Sequence, residues 1–181
     1  MYPIELAKTD NFKTTGFFYN PNIHPVPEYK KREKETRKYF KSKKLKLIIP
    51  QYNPGEFFSD IKRTGNPPAR CVSCWEMRLE RTASLAKEKG FDAFTTTLLA
   101  SPYQDHGSLK VIAEGLADKE KVRFYYRDFR EGFRDAHKKA REQGVYCQNY
   151  CGCIFSKIER EEKRARKKRL AHSVQEHELH G

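Results

Sequence analysis

The sequence contains no apolar run long enough to cross a membrane. A membrane helix requires about 18 or more consecutive apolar residues, and no stretch of this chain reaches that length. The first residues, Met1 to Glu5, also lack the basic segment followed by an apolar one that marks a secretion signal. These absences predict a cytoplasmic protein without a membrane partner.

Acidic residues are scarce compared with basic ones. The 181 residues include 24 Asp and Glu against 37 Lys and Arg, a formal net charge of +13. Ten of the basic residues fall between Glu28 and Lys46, where only three Glu accompany them. A charge of this size favours a polyanionic partner such as nucleic acid, although it sets attraction rather than sequence choice. For this segment, a solvated surface and a phosphate-binding surface both remain open.

The chain has only five cysteines, and four of them form two short pairs. Cys71 and Cys74 make one pair, and Cys151 and Cys153 make the other, 77 positions after Cys74. In a reducing cytosol, close pairs indicate metal ligands or redox thiols before they indicate structural disulfides. The preceding residues 66–70, Asn-Pro-Pro-Ala-Arg, are typical of a helix start, so we expect the first pair at a helix N-terminus, which favours the thiolate.

Three kinds of site fit these cysteines on spacing alone. Structural zinc accepts four thiolates, but zinc ribbons usually show C-x-x-C twice, whereas the second pair here is C-x-C. Iron–sulfur clusters also take cysteine ligands and tolerate varied spacing. A redox dithiol at Cys71 and Cys74 is the third interpretation. The fifth thiol, Cys147, is either a bystander near the site or a further ligand.

Strand and helix patterns alternate along the chain. β-branched and aromatic runs predict strands at residues 13–20, 45–50, 91–99 and 122–126, with helical patterns between them and a last helix at about 131–143. This alternation predicts an α/β protein whose parallel sheet is flanked by helices through right-handed crossovers. We expect one domain over residues 1–156, which carries the metal site, and a charged C-terminal helix over residues 157–181.

Polar side chains follow the predicted strands. His24 lies in a proline-rich loop, and Tyr103, Asp105 and Asp128 lie in the exits of the third and fourth strands. In parallel α/β sheets the carboxyl ends of the strands collect the ligand, so we expect the cysteine pairs to meet there, beside these loops. Each residue also has an ordinary interpretation, since loop histidines often only hydrogen-bond and Asp128 can pair with Arg127 or Arg130.

Several segments resemble the QueH family, the epoxyqueuosine reductases. They occur in the family's order and at comparable spacing from about Thr14 to Ser156. They are Thr14-Thr15-Gly16-Phe17-Phe18-Tyr19-Asn20-Pro21-Asn22-Ile23-His24-Pro25, Arg70-Cys71-Val72-Ser73-Cys74, Phe94-Thr95-Thr96-Thr97-Leu98-Leu99, Ser101-Pro102-Tyr103-Gln104, Tyr126-Arg127-Asp128-Phe129-Arg130 and Tyr150-Cys151-Gly152-Cys153-Ile154-Phe155-Ser156.

The resemblance implies a nucleotide-hydrolase-like (HUP-like) α/β fold and an oxidoreductase that reduces epoxyqueuosine to queuosine in the tRNA anticodon loop. It also implies a 4Fe-4S cluster, with Cys71, Cys74, Cys151 and Cys153 as ligands, and a nearby mononuclear iron. We expect Asp128, Asp105, His24 and Tyr103 to supply protons or contact the substrate, and an unidentified donor to supply electrons.

One departure from the family's pattern affects these expectations. Family members open with a strand that ends in adjacent cysteines before the Gly16-Phe17-Phe18-Tyr19 segment, and this sequence has no counterpart of that strand. The four remaining cysteines can hold one cluster. The alternative is a non-catalytic protein that binds tRNA and a metal, either zinc or an iron–sulfur cluster.

Overall fold

The structure is a computed structural model that describes residues 2–61 and 67–178, with side chains as far as Leu170 in the last helix. Helices and short strands alternate along it, as the sequence predicts. In chain order the elements are α1 (Tyr2–Thr9), β1 (Thr15–Phe17), α2 (Val26–Ser42), β2 (Lys46–Ile48), α3 (Pro54–Ile61), α4 (Ala69–Glu88), β3 (Ala93–Phe94), a 3₁₀-helix (Thr97–Ala100), α5 (His106–Glu120), β4 (Arg123–Phe124), α6 (Phe133–Glu142) and α7 (Ile154–Glu178).

The four strands pair in parallel, which confirms the predicted α/β class. Within the described residues they form two sheets of two strands each, β1 with β2 and β3 with β4. Gly16 lies opposite Leu47 in the first sheet, and Phe94 lies opposite Phe124 in the second. Parallel neighbours need a crossover connection, and α2 supplies it in the first sheet while α5 lies between β3 and β4.

The predicted third strand at residues 91–99 is wrong over its second half. The strand ends at Phe94, and a 3₁₀-helix begins at Thr97. The reason is local, because the side-chain oxygen of Thr96 accepts a hydrogen bond from the backbone N–H of Leu98 at 3.2 Å and so caps the turn. Threonine side chains offer this alternative to a strand ladder, which is why three consecutive threonines misled the prediction.

Within the described residues, the buried apolar side chains form three clusters. The largest lies between α4, α5 and the β3–β4 sheet and contains the fully buried Leu79, Leu99, Leu109 and Phe129. A second cluster packs around the β1–β2 sheet, and a third joins Phe57 of α3 to the second cysteine pair. Each fully buried side chain of this size contributes about 1.5–3 kcal/mol. The third cluster therefore attaches the cysteine segment to the body of the protein.

The remaining helical surface is charged. α2 buries Tyr29, Arg32 and Phe40 and exposes most of its lysines, and α7 exposes every residue from Glu161 to Leu170. None of the helices in the described chain is both long and apolar enough to span a membrane.

A single arginine joins α2 to the second cysteine segment. The side chain of Arg32 is only 8% exposed, and its Nε donates to Glu28 Oε1 at 2.7 Å. Its two terminal nitrogens donate to the backbone carbonyls of Cys151 at 3.0 Å and Tyr150 at 3.2 Å. One guanidinium thus satisfies two carbonyl groups that lie more than a hundred positions later in the sequence.

The same segment is held from its other side by the loop before α2. The hydroxyl of Tyr150 donates to the carbonyl of His24 at 2.6 Å, and the N–H of His24 donates to the carbonyl of Gly152 at 2.8 Å. Gly152 has φ of +124°, and a Cβ there would lie 3.0 Å from Arg32 and from Ile23. The residue between the two cysteines must therefore be glycine, for backbone conformation and for space.

Two glycine substitutions should change stability in opposite directions. In Gly16→Ala the new methyl group would overlap the buried ring of Phe40 and lie 2.8 Å from Leu47, so we expect a loss of about 1–3 kcal/mol. Gly115 lies inside α5 with open space around it, so Gly115→Ala should raise the unfolding free energy by about 0.5–1 kcal/mol. Urea denaturation measures both, and a shift of the same sign in both variants would contradict this packing.

Removing the Arg32 side chain should be much more costly than removing its neighbour on the same helix. Arg32→Met leaves the half-buried Glu28 without its cationic partner and two carbonyl groups without their donor, so we expect a loss of about 3 kcal/mol. Arg37→Met breaks the exposed i,i+4 pair with Glu33 and should cost no more than about 0.5 kcal/mol. Equal losses in urea denaturation would show that Arg32 is an ordinary surface pair.

Candidate active site

The two cysteine pairs lie at the N-termini of two helices. Cys71 and Cys74 occupy the first turns of α4, and Cys151 and Cys153 immediately precede α7. Cys74 packs against the apolar cluster that contains Cys153, and a charge on Cys151 raises the pKa of both Cys71 and Cys74. The fold therefore brings the two pairs into one neighbourhood, despite their distance in the sequence.

The first turn of α7 supplies hydrogen bonds to the second pair. The Sγ atoms of Cys151 and Cys153 lie 3.6 Å apart and share one hydrogen bond. The N–H of Ser156 donates to Cys153 Sγ at 3.3 Å, and the Ser156 hydroxyl lies 2.9 Å from Cys151 Sγ. The bond shared with Cys153, together with Ser156, lowers the pKa of Cys151, while the same shared bond and burial raise the pKa of Cys153.

The thiols of the first pair, Cys71 and Cys74, both have raised pKa values. Burial raises the pKa of the Cys71 thiol, and burial raises that of Cys74 to about 11. The prediction that a helix N-terminus holds these two residues as thiolates is therefore wrong for the thiols by themselves. The cost of removing the thiolate from water exceeds the stabilisation that the helix dipole gives it, since the effect of the dipole falls off within the first turn of the helix.

An ion pair joins the two helix N-termini. Arg70, which precedes Cys71, is 6% exposed, and its Nη2 donates to Glu159 of α7 at 2.6 Å. Its guanidinium also lies over the ring of Phe155, 4.6 Å from the centroid. These contacts fix the direction in which α7 leaves the site.

A second arginine lies beside the sulfur atoms. Arg78 follows Cys74 by about one turn of α4. Burial raises the pKa of Cys74 and the positive charge of Arg78 opposes that rise, while the same charge adds to the hydrogen bonds that lower the pKa of Cys151. Its Nη2 donates to Asn20 Oδ1 in the loop after β1 at 2.8 Å, while its buried Nε has no hydrogen-bond partner among the described residues. Arg78 therefore offers the site a fixed positive charge and connects α4 with the first sheet.

His24 is placed at the second cysteine segment through its backbone and presents a free ring nitrogen. Its Nδ1 lies 2.9 Å from the carbonyl of Asn22, which can only accept, so Nδ1 carries the proton of the neutral ring. Its Nε2 is buried and has no partner in the described part of the chain. The ring packs on Phe58 and Phe57, with centroids 4.7 and 5.7 Å away. This arrangement is the one in which metal-binding histidines are oriented.

Asp105 and Asp128 have partners outside the cysteine segments. Asp105 caps α5, where its carboxylate accepts from the N–H groups of Gly107 at 3.0 Å and Ser108 at 3.2 Å, and these bonds with that of the Ser108 hydroxyl lower its pKa. Asp128 accepts from Arg130 Nε at 2.9 Å, and this bond lowers its pKa to about 2. Within the described chain, both carboxylates are thus engaged by α5 and by the loop after β4.

Tyr103 lies on the surface, in the loop between the 3₁₀-helix and α5. Its side chain is 85% exposed, and its ring meets Phe133 of α6 edge-on at 6.4 Å. The next residue, Gln104, accepts a hydrogen bond from the indole of Trp75 at 2.9 Å, and Trp75 directly follows Cys74. The loop that carries Tyr103 is therefore fastened to α4 beside the thiols, and its aromatic ring is open to a partner.

Sequence reasoning missed five residues that shape the site: Arg32, Arg70, Arg78, His106 and Ser156. His106 is buried at the start of α5, its Nδ1 lies 4.0 Å from Asp128 Oδ1, and neither ring nitrogen has a hydrogen-bond partner among the described residues. Sequence offered a signal for two of the five, since Ser156 follows Cys153 by three residues and His106 ends a dense polar loop. The arginines had none, because the chain contains 37 basic residues.

The donors of this neighbourhood suit a soft metal centre. Four sulfur atoms and the free Nε2 of His24 are of the kind that iron–sulfur and zinc sites use. Over residues 2–61 and 67–170, no three His, Cys, Asp or Glu side chains converge closely enough to hold a single ion. The thiols are neighbours spread over two helix ends rather than a tight set around one point.

Comparison with known proteins identifies the family to which the chain belongs. The family model described as epoxyqueuosine reductase QueH matches residues 1–159. A protein of that name from Thermotoga maritima is 38% identical over 157 residues, which cover 82% of this chain and 82% of the relative. Another from Dehalococcoides mccartyi is 35% identical over 160 residues, covering 88% of this chain and 87% of the relative. The chain therefore belongs to the epoxyqueuosine reductase QueH family.

Proposed function

We propose that this protein reduces epoxyqueuosine to queuosine in the anticodon loop of tRNA, in the cytoplasm, with an iron–sulfur cluster held by its four paired cysteines. The observation that carries the proposal is the meeting of Cys71 and Cys74 with Cys151 and Cys153 at two helix N-termini, in a chain that belongs to the QueH family. The net charge of +13 suits a tRNA substrate.

The reaction defines what the site must provide. Loss of the epoxide oxygen as water consumes two electrons and two protons and leaves a carbon–carbon double bond. A 4Fe-4S cluster, when bound, would supply electrons one at a time from an external donor that remains to be identified, and a second, mononuclear iron would act as a Lewis acid. Cys71, Cys74, Cys151 and Cys153 would be the cluster ligands, because iron–sulfur clusters take cysteine thiolates and these four come from two neighbouring helix ends.

The polar side chains of the protein have different roles in proton transfer and in positioning. Asp128, with a pKa of about 2, is a carboxylate at neutral pH and holds no proton to donate, and the lowered pKa of Asp105 has the same consequence. Among the four polar candidates, Tyr103 therefore keeps a hydroxyl proton that it can give to the substrate oxygen, whereas the unprotonated Nε2 of His24 can accept a proton or bind a metal ion. Asp128 instead holds Arg130 in place, and it faces His106.

Two further side chains are suited to binding the substrate. The exposed ring of Tyr103 offers a surface on which a base of the anticodon loop can stack, as single-stranded RNA recognition commonly uses. Arg78 supplies a fixed positive charge next to the sulfur atoms, where it stabilises negative charge that develops during reduction.

Cysteine substitutions should separate ligands from the bystander. After anaerobic reconstitution with iron and sulfide, we expect the wild type to bind sulfide together with at least an equal amount of iron and to show a broad absorption that dithionite bleaches. Cys74→Ser and Cys151→Ser should lose most of this absorption. Cys147→Ser should keep it, because the Cys147 thiol donates to the carbonyl of Val145 at 3.5 Å instead of facing the other four. Retention of zinc, with no gain of iron, would overturn the cluster assignment.

Activity should follow the cluster. The reconstituted wild type, with tRNA that contains epoxyqueuosine and a chemical reductant, should form queuosine, and mass spectrometry of the digested nucleosides measures it. Cys147→Ser should match the wild type, and Cys151→Ser should fall at least about a hundredfold. Tight tRNA binding by fully iron-loaded protein without conversion would instead support a non-catalytic tRNA-binding protein.

A further inference from the structure

The last helix carries a basic segment that lies beyond the part of the chain shared with the family. The family model ends at residue 159, whereas α7 continues to Glu178. Six of the seven residues from Lys163 to Arg169 are Lys or Arg, and Ala165 is the exception. We call residues 163–169 the basic segment of α7. A run of this kind is typical of nucleic-acid-binding surfaces, although charge alone does not exclude a solvated helix.

Packing does not account for this segment. Every residue from Glu161 to Leu170 is exposed, so the helix surface there faces solvent on all sides. Helices of soluble proteins usually owe their stability to an apolar face buried against the core. The basic segment has no such face, and its function must lie in its charge.

The positive charges within the basic segment repel one another. Lys163 and Lys167 are spaced i,i+4, as are Arg164 and Lys168, and like charges at this spacing destabilise a helix. Of the nearby acids, Glu159 pairs with Arg70 and Glu161 with Lys157, which leaves Glu162 as one acid beside the six cations of the segment. Among ion pairs between described side chains, none includes a cation of the basic segment. A polyanion would relieve this repulsion, which is a direct energetic reason for one to bind.

The basic face of α2 is less available for the same purpose. Its outer groove is lined by Lys30, Glu33, Lys34, Arg37, Lys38 and Lys41. Two of its cations already have acidic partners on the helix, since Arg37 pairs with Glu33 at 2.7 Å and Lys38 with Glu35 at 2.9 Å. In addition, Arg32 is buried against the cysteine segment. Ion pairs therefore engage two cations of this groove, whereas no ion pair between described side chains engages the six cations of the basic segment of α7.

The position of the basic segment relative to the cysteines defines its reach. α7 begins directly after Cys153, and the Arg70–Glu159 pair fixes its first turns against α4. Residues 163–169 follow Cys153 by 10–16 positions, which is about 15–24 Å along a helix axis. Phosphates follow one another by about 3.4 Å along a duplex strand, so this distance corresponds to roughly four to seven base pairs. A loop base at the cysteines would place the adjoining stem beside the basic segment.

We propose that the basic segment of α7 binds the phosphates of the anticodon stem of tRNA while the loop base lies at the cysteine site. The proposal rests on the proposed function for the identity of the RNA. It adds a second contact, which recognises the stem by its backbone charge and not by its sequence. The segment is thus a positioning surface, and it should contribute to binding and not to the chemical step.

The test compares two variants that each remove four charges. In the first, Lys163, Arg164, Lys167 and Lys168 are replaced by Gln, a good helix former. In the matched control, Lys30, Lys34, Lys38 and Lys41 of α2 are replaced by Gln, so the net charge falls equally. Affinity for an unmodified tRNA transcript is measured by fluorescence anisotropy at several salt concentrations. Circular dichroism checks that both variants keep their helices.

We expect the α7 variant to bind the transcript at least about tenfold more weakly at 0.1 M salt, with a salt slope lower by about 3, because each phosphate contact contributes about 0.7–0.9 to the slope. The α2 control should change the affinity less than about threefold. An oligonucleotide of the loop without its stem should bind both variants and the wild type equally. A charge-conserving variant, K163R/R164K/K167R/K168R, should bind the transcript as the wild type does.

Other outcomes would overturn the proposal. Equal losses in the two variants would show that only net charge matters, and a larger loss in the α2 control would assign the stem to α2. A loss by the α7 variant on the loop oligonucleotide would place the segment at the loop. Because binding of the transcript requires neither a cluster nor turnover, failure of the reductase assay leaves this result interpretable.

Discussion

The guanidinium of Arg32 is the contact on which the second cysteine pair depends. It fixes the carbonyls of Tyr150 and Cys151 and is itself held by Glu28, which also accepts the hydroxyl of Tyr146 at 2.8 Å. A buried ion pair contributes little net stability compared with an apolar contact, since desolvation of both ions opposes it. Its effect here is geometric, because three hydrogen bonds from one planar guanidinium hold the backbone of Tyr150 and Cys151 against α2 just before α7 begins.

The two cysteine pairs differ in protonation because their surroundings differ. Burial keeps the thiols of Cys71 and Cys74 protonated at neutral pH, whereas hydrogen bonds stabilise a thiolate on Cys151. A cation that binds all four must therefore displace protons from the α4 pair, which makes its affinity depend on pH. Arg78 and the two helix N-termini oppose the cost of this ionisation, as they bring positive charge to the same place.

The polar groups outside the sulfur atoms serve two different purposes. Asp105 and Asp128 are tied to α5 and to Arg130, so they order the loops at the carboxyl ends of β3 and β4. His24 and Tyr103 keep a free ring nitrogen and an exposed ring, and these are the groups that remain open to a ligand. On the surface, the charge of α2 is partly paired, whereas no ion pair between described side chains includes the basic segment of α7. The protein therefore separates its positive charge into a structural part and an available part.

The sequence by itself determined the class of the fold and the family of the protein. Alternating strand and helix patterns predicted the parallel α/β arrangement, and two cysteine pairs with the flanking motifs predicted a QueH relative, because periodicity and residue type are local properties. Only the tertiary structure decided which of the many arginines are buried, that Thr96 caps a 3₁₀-helix and that burial protonates Cys71 and Cys74. Desolvation and long-range hydrogen bonds depend on which segments meet in space. The spacing of residues along one chain does not contain that information.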